Sequence, residues 1–215
     1  MARRFPITLK PDEAERLKAV PNVHCRTGLR DRVALELMHR SGLRVSEVCN
    51  LRPEHIDYAA GLLEVRAGKG KKDRTVPLGG PETQWLRQWQ SVRPNSEWLL
   101  CTLKGTRMLP RHLQTTIRRY AERASLPRAR SVTPHTLRHT FATDWLRNGG
   151  DVRTLQVILG HEDLATTMIY CHVYPEDLIR AKREMERREI AAKENLQIVA
   201  LTLPTPAYND SEEQG

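Results

Sequence analysis

Apolar residues recur along most of the chain at the three- and four-residue spacing of an amphipathic helix. In 31–40 this spacing predicts a helix, and Gly42 supplies its C-terminal stop. Ser46 can cap a short helix over 46–51, so Arg44 is expected in the elbow between the two helices. Further helices are predicted after Lys10 and over 81–91, 110–124, 133–147, 151–160 and 163–170.

Two short segments carry the residue types of β-strands. Residues 62–66 and 74–78 are rich in branched side chains, and a turn of glycines and lysines at 68–72 joins them. The chain is therefore predicted to be mainly α-helical, with a small antiparallel β-hairpin or three-stranded sheet on one edge.

The pattern divides the chain into one domain and shorter flanking segments. Residues 1–25 form a lead-in segment, and 26–190 contain the main domain. Pro175 opens a last helix, predicted over 175–200, and 201–215 has the composition of a disordered tail. A length of 215 residues fits one well-buried core.

The charge balance points to an anionic partner. The chain has 35 Lys and Arg residues against 26 Asp and Glu residues, a formal net charge of +9. Neutralising phosphates releases counterions, so DNA or RNA is the leading interpretation and an anionic membrane surface is the second. Composition alone also fits basic residues that merely solvate surface helices.

The sequence indicates a cytoplasmic protein. No apolar run reaches the length that crosses a bilayer, and the N-terminus lacks the apolar stretch of a signal peptide. The four cysteines are far apart and form no CxxC pair, which predicts neither a disulfide framework nor a cysteine zinc site.

One cluster of residues has the chemistry that phosphodiester cleavage needs. His135, Arg138 and His139 are spaced to share one helix face, His161 follows the next helix, and Tyr170 comes nine residues later. Cleavage needs positive groups on the nonbridging oxygens, a nucleophile, and an acid for the leaving oxygen. This cluster supplies each kind of group.

The motifs around this cluster occur in a recognisable order. His-Thr-Leu-Arg-His-Thr-Phe-Ala-Thr at 135–143 precedes Leu-Gly-His at 159–161 and Thr-Thr-Met-Ile-Tyr-Cys-His at 166–172. Upstream lie Ser-Gly-Leu-Arg-Val-Ser-Glu at 41–47 and the basic hairpin at 68–78. Together they resemble the signature of the tyrosine recombinase or phage integrase family, close to its Xer and integrase branch. The resemblance implies the tyrosine recombinase catalytic-domain fold.

The resemblance also implies a catalytic set, namely Arg44, Lys69, His135, Arg138, His161 and Tyr170. The two arginines would clamp the scissile phosphate with planar guanidinium groups, and Lys69 would protonate the 5′-hydroxyl leaving group. His135 would assist proton handling, His161 would donate a hydrogen bond to the phosphate, and Tyr170 would form a 3′-phosphotyrosyl bond. Basic residues of the hairpin would contact DNA: Lys71, Lys72 and Arg74.

Such an enzyme would need no cofactor. A phenol, with a pKa of ~10, is a far better leaving group than a sugar alkoxide, so the covalent link keeps the bond energy and ATP is not required. Fixed cationic side chains would take over the charge neutralisation that Mg²⁺ supplies elsewhere, so no metal is expected.

The resemblance implies double-stranded DNA as the partner and a homo-tetramer on a synapse of two DNA sites. The helix at 175–200 would dock on a neighbouring protomer, although its apolar positions fit folding back on its own domain equally well. Family members normally carry an N-terminal helical domain of about a hundred residues, whereas some 25 residues precede the pattern here. Chemistry is expected to survive that difference better than affinity.

Each candidate residue also has a less specific interpretation. His135 and His139 have the spacing of a helical zinc pair that His161 or His172 could complete, but Arg138 between them would repel a cation. His139 is expected either to pack within the helices or to support a neighbouring site residue, and not to take part in the reaction directly. The spacing from His161 separates Tyr170 from the other tyrosines, which are Tyr58, Tyr120, Tyr174 and Tyr208.

Three other functions compete with a recombinase. A type IB topoisomerase-like enzyme would use the same covalent chemistry as a monomer. A non-cleaving relative would keep the basic fold and bind DNA only. A metal-dependent hydrolase built on the histidines would lose its activity in EDTA, whereas a recombinase would not.

Overall fold

The computed structural model describes residues 6–66, 73–171, 183, 185–187 and 190. The chain divides into two units, Met1–His172 and Val173–Gly215. The predicted lysine turn, most of the predicted helix at 175–200 and all of the predicted tail at 201–215 lie outside the described residues.

The first unit is mainly helical, as predicted. Within the described ranges its α-helices are α1 (Pro11–Ala19), α2 (Arg26–Arg40), α3 (Val45–Asn50), α4 (Gly80–Val92), α5 (Pro110–Arg123), α6 (Pro134–Arg147), α7 (Val152–Leu159) and α8 (Leu164–Met168). Short 3-10 turns occupy Pro53–His55 and Ala129–Ser131. None of the described helices is both long and apolar enough to cross a membrane.

A three-stranded antiparallel sheet lies beside the helices. Its strands are β1 (Ile56–Asp57), β2 (Leu62–Val65) and β3 (Arg74–Pro77), in the order β1-β2-β3. The register pairs Leu63 with Val76 and Val65 with Arg74. The inward-facing side chains of β2 and β3 are buried in the core. This register sets Arg74 at the start of β3, where its side chain reaches α7.

Helix α2 packs against α4 and α6 at the centre of the core. Large apolar side chains of α2 and α4 are fully buried there, including Leu35, Met38, Leu86 and Trp89. Helix α2 begins at Arg26, five residues before the predicted start, and the buried Leu29 in its first turn continues the four-residue apolar spacing of Val33 and Leu37.

Helices α6, α7 and α8 begin directly after residues 133, 151 and 163, where the predicted ranges start. The Thr133 hydroxyl caps α6, and the carboxylates of Asp151 and Asp163 cap α7 and α8. Gly160 ends α7 with a left-handed φ of 61°. A Cβ there would meet the Arg74 side chain at 3.0 Å, so the close approach of β3 also favours glycine.

Candidate active site

Arg138 is held at the centre of the site by backbone carbonyls at the C-terminal ends of two helices. Its guanidinium donates from Nη1 to the Gly42 carbonyl and from Nη2 to the Leu159 carbonyl, each at 2.6 Å. These carbonyls follow α2 and terminate α7, where backbone acceptors lack helical partners. The residue is 4% exposed, and burial followed by the nearby charge of Arg44 lowers the Arg138 pKa to about 10. It therefore remains charged at neutral pH.

Glu47 joins three arginines that come from separate elements. Its carboxylate accepts from Arg74 Nη1 and Nη2 at 2.9 Å each and from Arg44 Nη1 at 2.8 Å. Arg138 Nη1 lies 3.9 Å from Glu47 Oε2. Burial raises the Glu47 pKa, but the arginine contacts and the Arg44 amide outweigh it and hold the pKa at about 2. We call Arg44, Glu47, Arg74 and Arg138 the arginine cluster.

The other two arginines of the cluster differ in exposure. The Arg44 side chain is 29% exposed and bends over the start of α3, where its backbone N–H donates to Glu47 at 2.7 Å. Arg44 is therefore the N-cap residue of α3, the position predicted for Ser46. The Arg74 side chain is 7% exposed and also donates from Nε to the Ile158 carbonyl at 2.7 Å. Its guanidinium thus points inward, between β3, α3 and α7.

His161 contacts the arginine cluster directly after α7. Its Nε2 lies 3.1 Å from Arg138 Nη2, and its Nδ1 lies 2.9 Å from the Thr167 hydroxyl. A guanidinium can only donate, so Nε2 accepts and Nδ1 carries the ring proton. Burial and then the positive charges of Arg138, Arg44 and Arg74 lower the His161 pKa to about 4. The imidazole is therefore uncharged in the free protein at neutral pH.

Tyr170 lies just beyond α8, two residues after its last residue. The residue is 7% exposed, and its hydroxyl lies 2.7 Å from His139 Nδ1. Burial raises the Tyr170 pKa, while the positive charges of Arg138 and Arg44 oppose that rise. The phenol is therefore protonated at neutral pH and has a ring nitrogen as its hydrogen-bond partner.

The remaining predicted site residues fall into two groups. His135 is exposed on α6, and its ring centroid lies 6.3 Å from that of His139. Lys69, Lys71 and Lys72 lie outside the described residues, so their predicted roles stay predictions. Among the described residues, no three His, Cys, Asp or Glu side chains are grouped as a metal site requires.

Two site residues were missed or undervalued by the sequence reasoning. Glu47 stands three residues after Arg44 in the same motif, and a carboxylate amid so many basic positions was the available signal. His139 was expected to pack within the helices or to support a neighbouring site residue, and its contact with the hydroxyl of Tyr170 agrees with the second of these alternatives. Its position on the shared face of α6 was the signal for a closer role.

The competing tyrosines have other partners where they are described. The Tyr120 hydroxyl donates to the buried Asp31 carboxylate at 2.8 Å, and burial with that negative charge raises the Tyr120 pKa. The Tyr58 ring lies under the Arg87 guanidinium at 4.7 Å. Tyr174 and Tyr208 lie outside the described residues. Within the described ranges, Tyr170 is thus the tyrosine that contacts a histidine of α6.

The helical domain with its small edge sheet is the fold of tyrosine recombinase catalytic domains. The crystal structure of XerA recombinase matches with a TM-score of 0.72 and 34% identity, covering 87% of this chain and 66% of that one. XerH recombinase, solved bound to a palindromic difH substrate in a post-cleavage complex, matches with a TM-score of 0.70 and 26% identity, covering 85% and 54%.

Sequence comparison leads to the same group. Residues 8–177 match the model of the phage integrase family. Tyrosine recombinase XerD of Ralstonia nicotianae is 42% identical over 182 residues, which cover 81% of this chain and 58% of the relative. The chain therefore belongs to the phage integrase family, and it spans less than two thirds of the length of this relative.

Proposed function

We propose that this protein is a site-specific DNA recombinase or integrase that cleaves and rejoins double-stranded DNA through a 3′-phosphotyrosyl bond to Tyr170. The observation that carries the proposal is the grouping of the Tyr170 hydroxyl with His139, beside the arginine cluster and His161. In this grouping a phenol lies beside positive charges, which supports its role as the nucleophile in displacement at a phosphodiester. Neither ATP nor a metal takes part in the proposed reaction.

Arg138 and Arg44 have complementary tasks in the proposed reaction. Arg138 is fixed by two carbonyls and by His161, which engage three of the five N–H donors of a guanidinium. Its other donors can bind nonbridging phosphate oxygens. The Arg44 side chain is partly exposed, so it can meet the same phosphate from the solvent side. Because these N–H donors are already held in position before DNA binds, they need little reorganisation when negative charge develops on the phosphate oxygens.

The proposed reaction needs proton donors to the scissile phosphate and to the leaving oxygen. Lys69 would protonate the 5′-oxygen as it leaves, a role that rests on the family resemblance. His135 would assist proton handling on the exposed side of α6. His161 is uncharged in the free protein, but a bound phosphate would raise its pKa, and the imidazolium could then donate to a phosphate oxygen.

The proposed partner is double-stranded DNA. The net charge of +9 suits a polyanion, and the structurally similar XerH recombinase was solved bound to a difH substrate. By resemblance to the family, four copies would assemble on two DNA sites, with the segment 175–200 docking on a neighbour. We place the reaction in the cytoplasm, where DNA is accessible.

A nicked suicide duplex tests the covalent step. The protein is incubated with the duplex in EDTA, and denaturing electrophoresis then detects a protein–DNA adduct. We expect an adduct with the natural chain and with Tyr58→Phe, and none with Tyr170→Phe, which should still bind DNA. An adduct that persists in Tyr170→Phe would refute the nucleophile. DNA binding without any adduct would favour a non-cleaving relative, and relaxation of plasmids lacking a specific site would favour a topoisomerase.

A further inference from the structure

His139 contacts Tyr170 in the site, although the predicted catalytic set does not include it. It lies on α6 immediately after Arg138, is half-buried, and approaches the Tyr170 hydroxyl through Nδ1 at 2.7 Å. The two rings are tilted, with centroids 5.5 Å apart. A separation of 2.7 Å between the phenol oxygen and the ring nitrogen is that of a hydrogen bond.

We propose that His139 is a catalytic residue that accepts the proton of Tyr170 when the tyrosine attacks the DNA. The proposal rests on the proposed function and adds the proton acceptor to it. In the step, the Oη–H bond of Tyr170 breaks and the proton moves to His139 Nδ1. The Oη electron pair forms the new bond to phosphorus, the bond from phosphorus to the 5′-oxygen breaks, and that oxygen takes a proton from Lys69.

The charge states of the free protein support this direction of transfer. Burial, followed by the charges of His135 and Arg138, lowers the His139 pKa to about 4, so its ring is uncharged and keeps a lone pair. Tyr170 is protonated. With the imidazole proton on Nε2, the phenol donates to Nδ1, and the proton already lies along the transfer path.

Bound DNA changes the basicity of His139 in the required sense. The titratable and charged groups that face it are His135 and Arg138 on α6, His161 after α7, and Tyr170 after α8. None of these carries a negative charge at neutral pH, whereas a phosphodiester does. Its arrival raises the His139 pKa, and formation of the bond to phosphorus makes the phenolic proton more acidic. In rejoining, the same imidazolium returns the proton to Tyr170.

Two substitutions separate proton transfer from positioning. His139→Asn places an amide oxygen near the position of Nδ1, so it keeps the hydrogen-bond acceptor but cannot take the proton. His139→Phe keeps the ring volume and removes both functions. His24→Asn is the matched control, because His24 is exposed in the lead-in segment. The rate of adduct formation on the nicked suicide duplex is measured under single-turnover conditions, and DNA affinity is measured separately.

We expect both His139 variants to form the adduct about a hundredfold more slowly or worse, as is usual when a general base is lost. DNA affinity and the His24→Asn rate should stay within about threefold of the natural chain. The His139→Asn rate should also rise with pH over the range in which the natural chain has reached its plateau, because hydroxide replaces the base. A His139→Asn rate within about threefold of the natural chain would overturn the proposal. A His139→Phe rate above that of the natural chain would also overturn it, because the contact with Tyr170 would then restrain the tyrosine in the free protein instead of assisting the reaction.

A modified leaving group provides the second measurement. A 5′-bridging phosphorothiolate leaves without an acid, so it should restore the adduct in Lys69→Ala but not in His139→Asn. Restoration in His139→Asn would place the residue on the leaving-group side and contradict the proposal. If the natural chain forms no adduct on either duplex, the proposed function itself fails. If the natural chain and His139→Asn form the adduct at the same rate, only the proposed role of His139 fails.

Discussion

Replacing Glu47 by glutamine should destabilise the fold strongly. The substitution keeps the shape of the side chain and removes the negative charge that three arginines share. Breaking a buried ion pair by neutralising one partner costs roughly 3–5 kcal/mol. The pKa gives a similar figure, because a shift from the ordinary 4.5 to about 2 corresponds to about 3 kcal/mol at neutral pH. We expect a loss of about 3 kcal/mol in the free energy of unfolding.

The pH dependence of that loss provides a sharper test. The folded-state pKa of Glu47 is depressed, so its stabilisation is complete above pH 4.5 and declines as the pH falls towards 2. Urea unfolding of the natural chain and Glu47→Gln should therefore differ most at pH 7, and the gap should shrink by about 1.4 kcal/mol at pH 3.5. The control is Glu122→Gln, which disrupts an exposed pair with Arg118 and should cost less than about 0.5 kcal/mol. A gap below about 1 kcal/mol at pH 7, or one that does not change down to pH 3.5, would refute this reasoning.

Two further substitutions test packing around the site. Gly42→Ala should destabilise the fold by about 1–3 kcal/mol in urea unfolding, because Gly42 has a φ of 63° and the new Cβ would lie 2.4 Å from the Phe141 ring; unchanged stability would contradict this account. Tyr120→Phe leaves the buried Asp31 without its hydroxyl donor and should cost about 1–3 kcal/mol, while the rate of adduct formation stays within about threefold of the natural chain. A lost adduct in a folded Tyr120→Phe variant would show that Tyr120 takes part in the reaction.

The helices of the site could be predicted from the sequence because their ends carry local signals. Thr133, Asp151 and Gly160 act through their own backbone neighbours, and each lies at a boundary of the predicted ranges 133–147 and 151–160. The apolar spacing of α2 extends back to Leu29, but the three residues before it, 26–28, carry no apolar side chain, so periodicity does not mark the first residue of the helix. The third strand, β1, is two residues long and exists only through its pairing with β2, so the sequence left it open between a hairpin and a three-stranded sheet.

The side-chain partners were harder to predict than the elements. Arg74 was expected to contact DNA because it follows a basic turn, but its guanidinium bonds to Glu47 and the Ile158 carbonyl. That partnership joins residues 27 and 84 positions apart, and no local pattern specifies it. The partner of His139 could not be predicted for the same reason, because its contact with Tyr170 forms only when the segment after α8 packs against α6.

The arginine cluster sets a charge balance that favours one stage of the proposed reaction over another. Three guanidinium charges less one carboxylate leave two positive charges among the described members of the cluster. An intact phosphodiester carries one negative charge, whereas the five-coordinate phosphorus formed by attack of a deprotonated tyrosine carries two. The net charge of the cluster, two positive charges, is therefore equal in magnitude to the charge of the dianionic transition state and larger than that of the intact phosphodiester. Electrostatic attraction that is stronger in the transition state than in the bound substrate lowers the activation barrier of cleavage, whereas equal attraction in both would not accelerate the step.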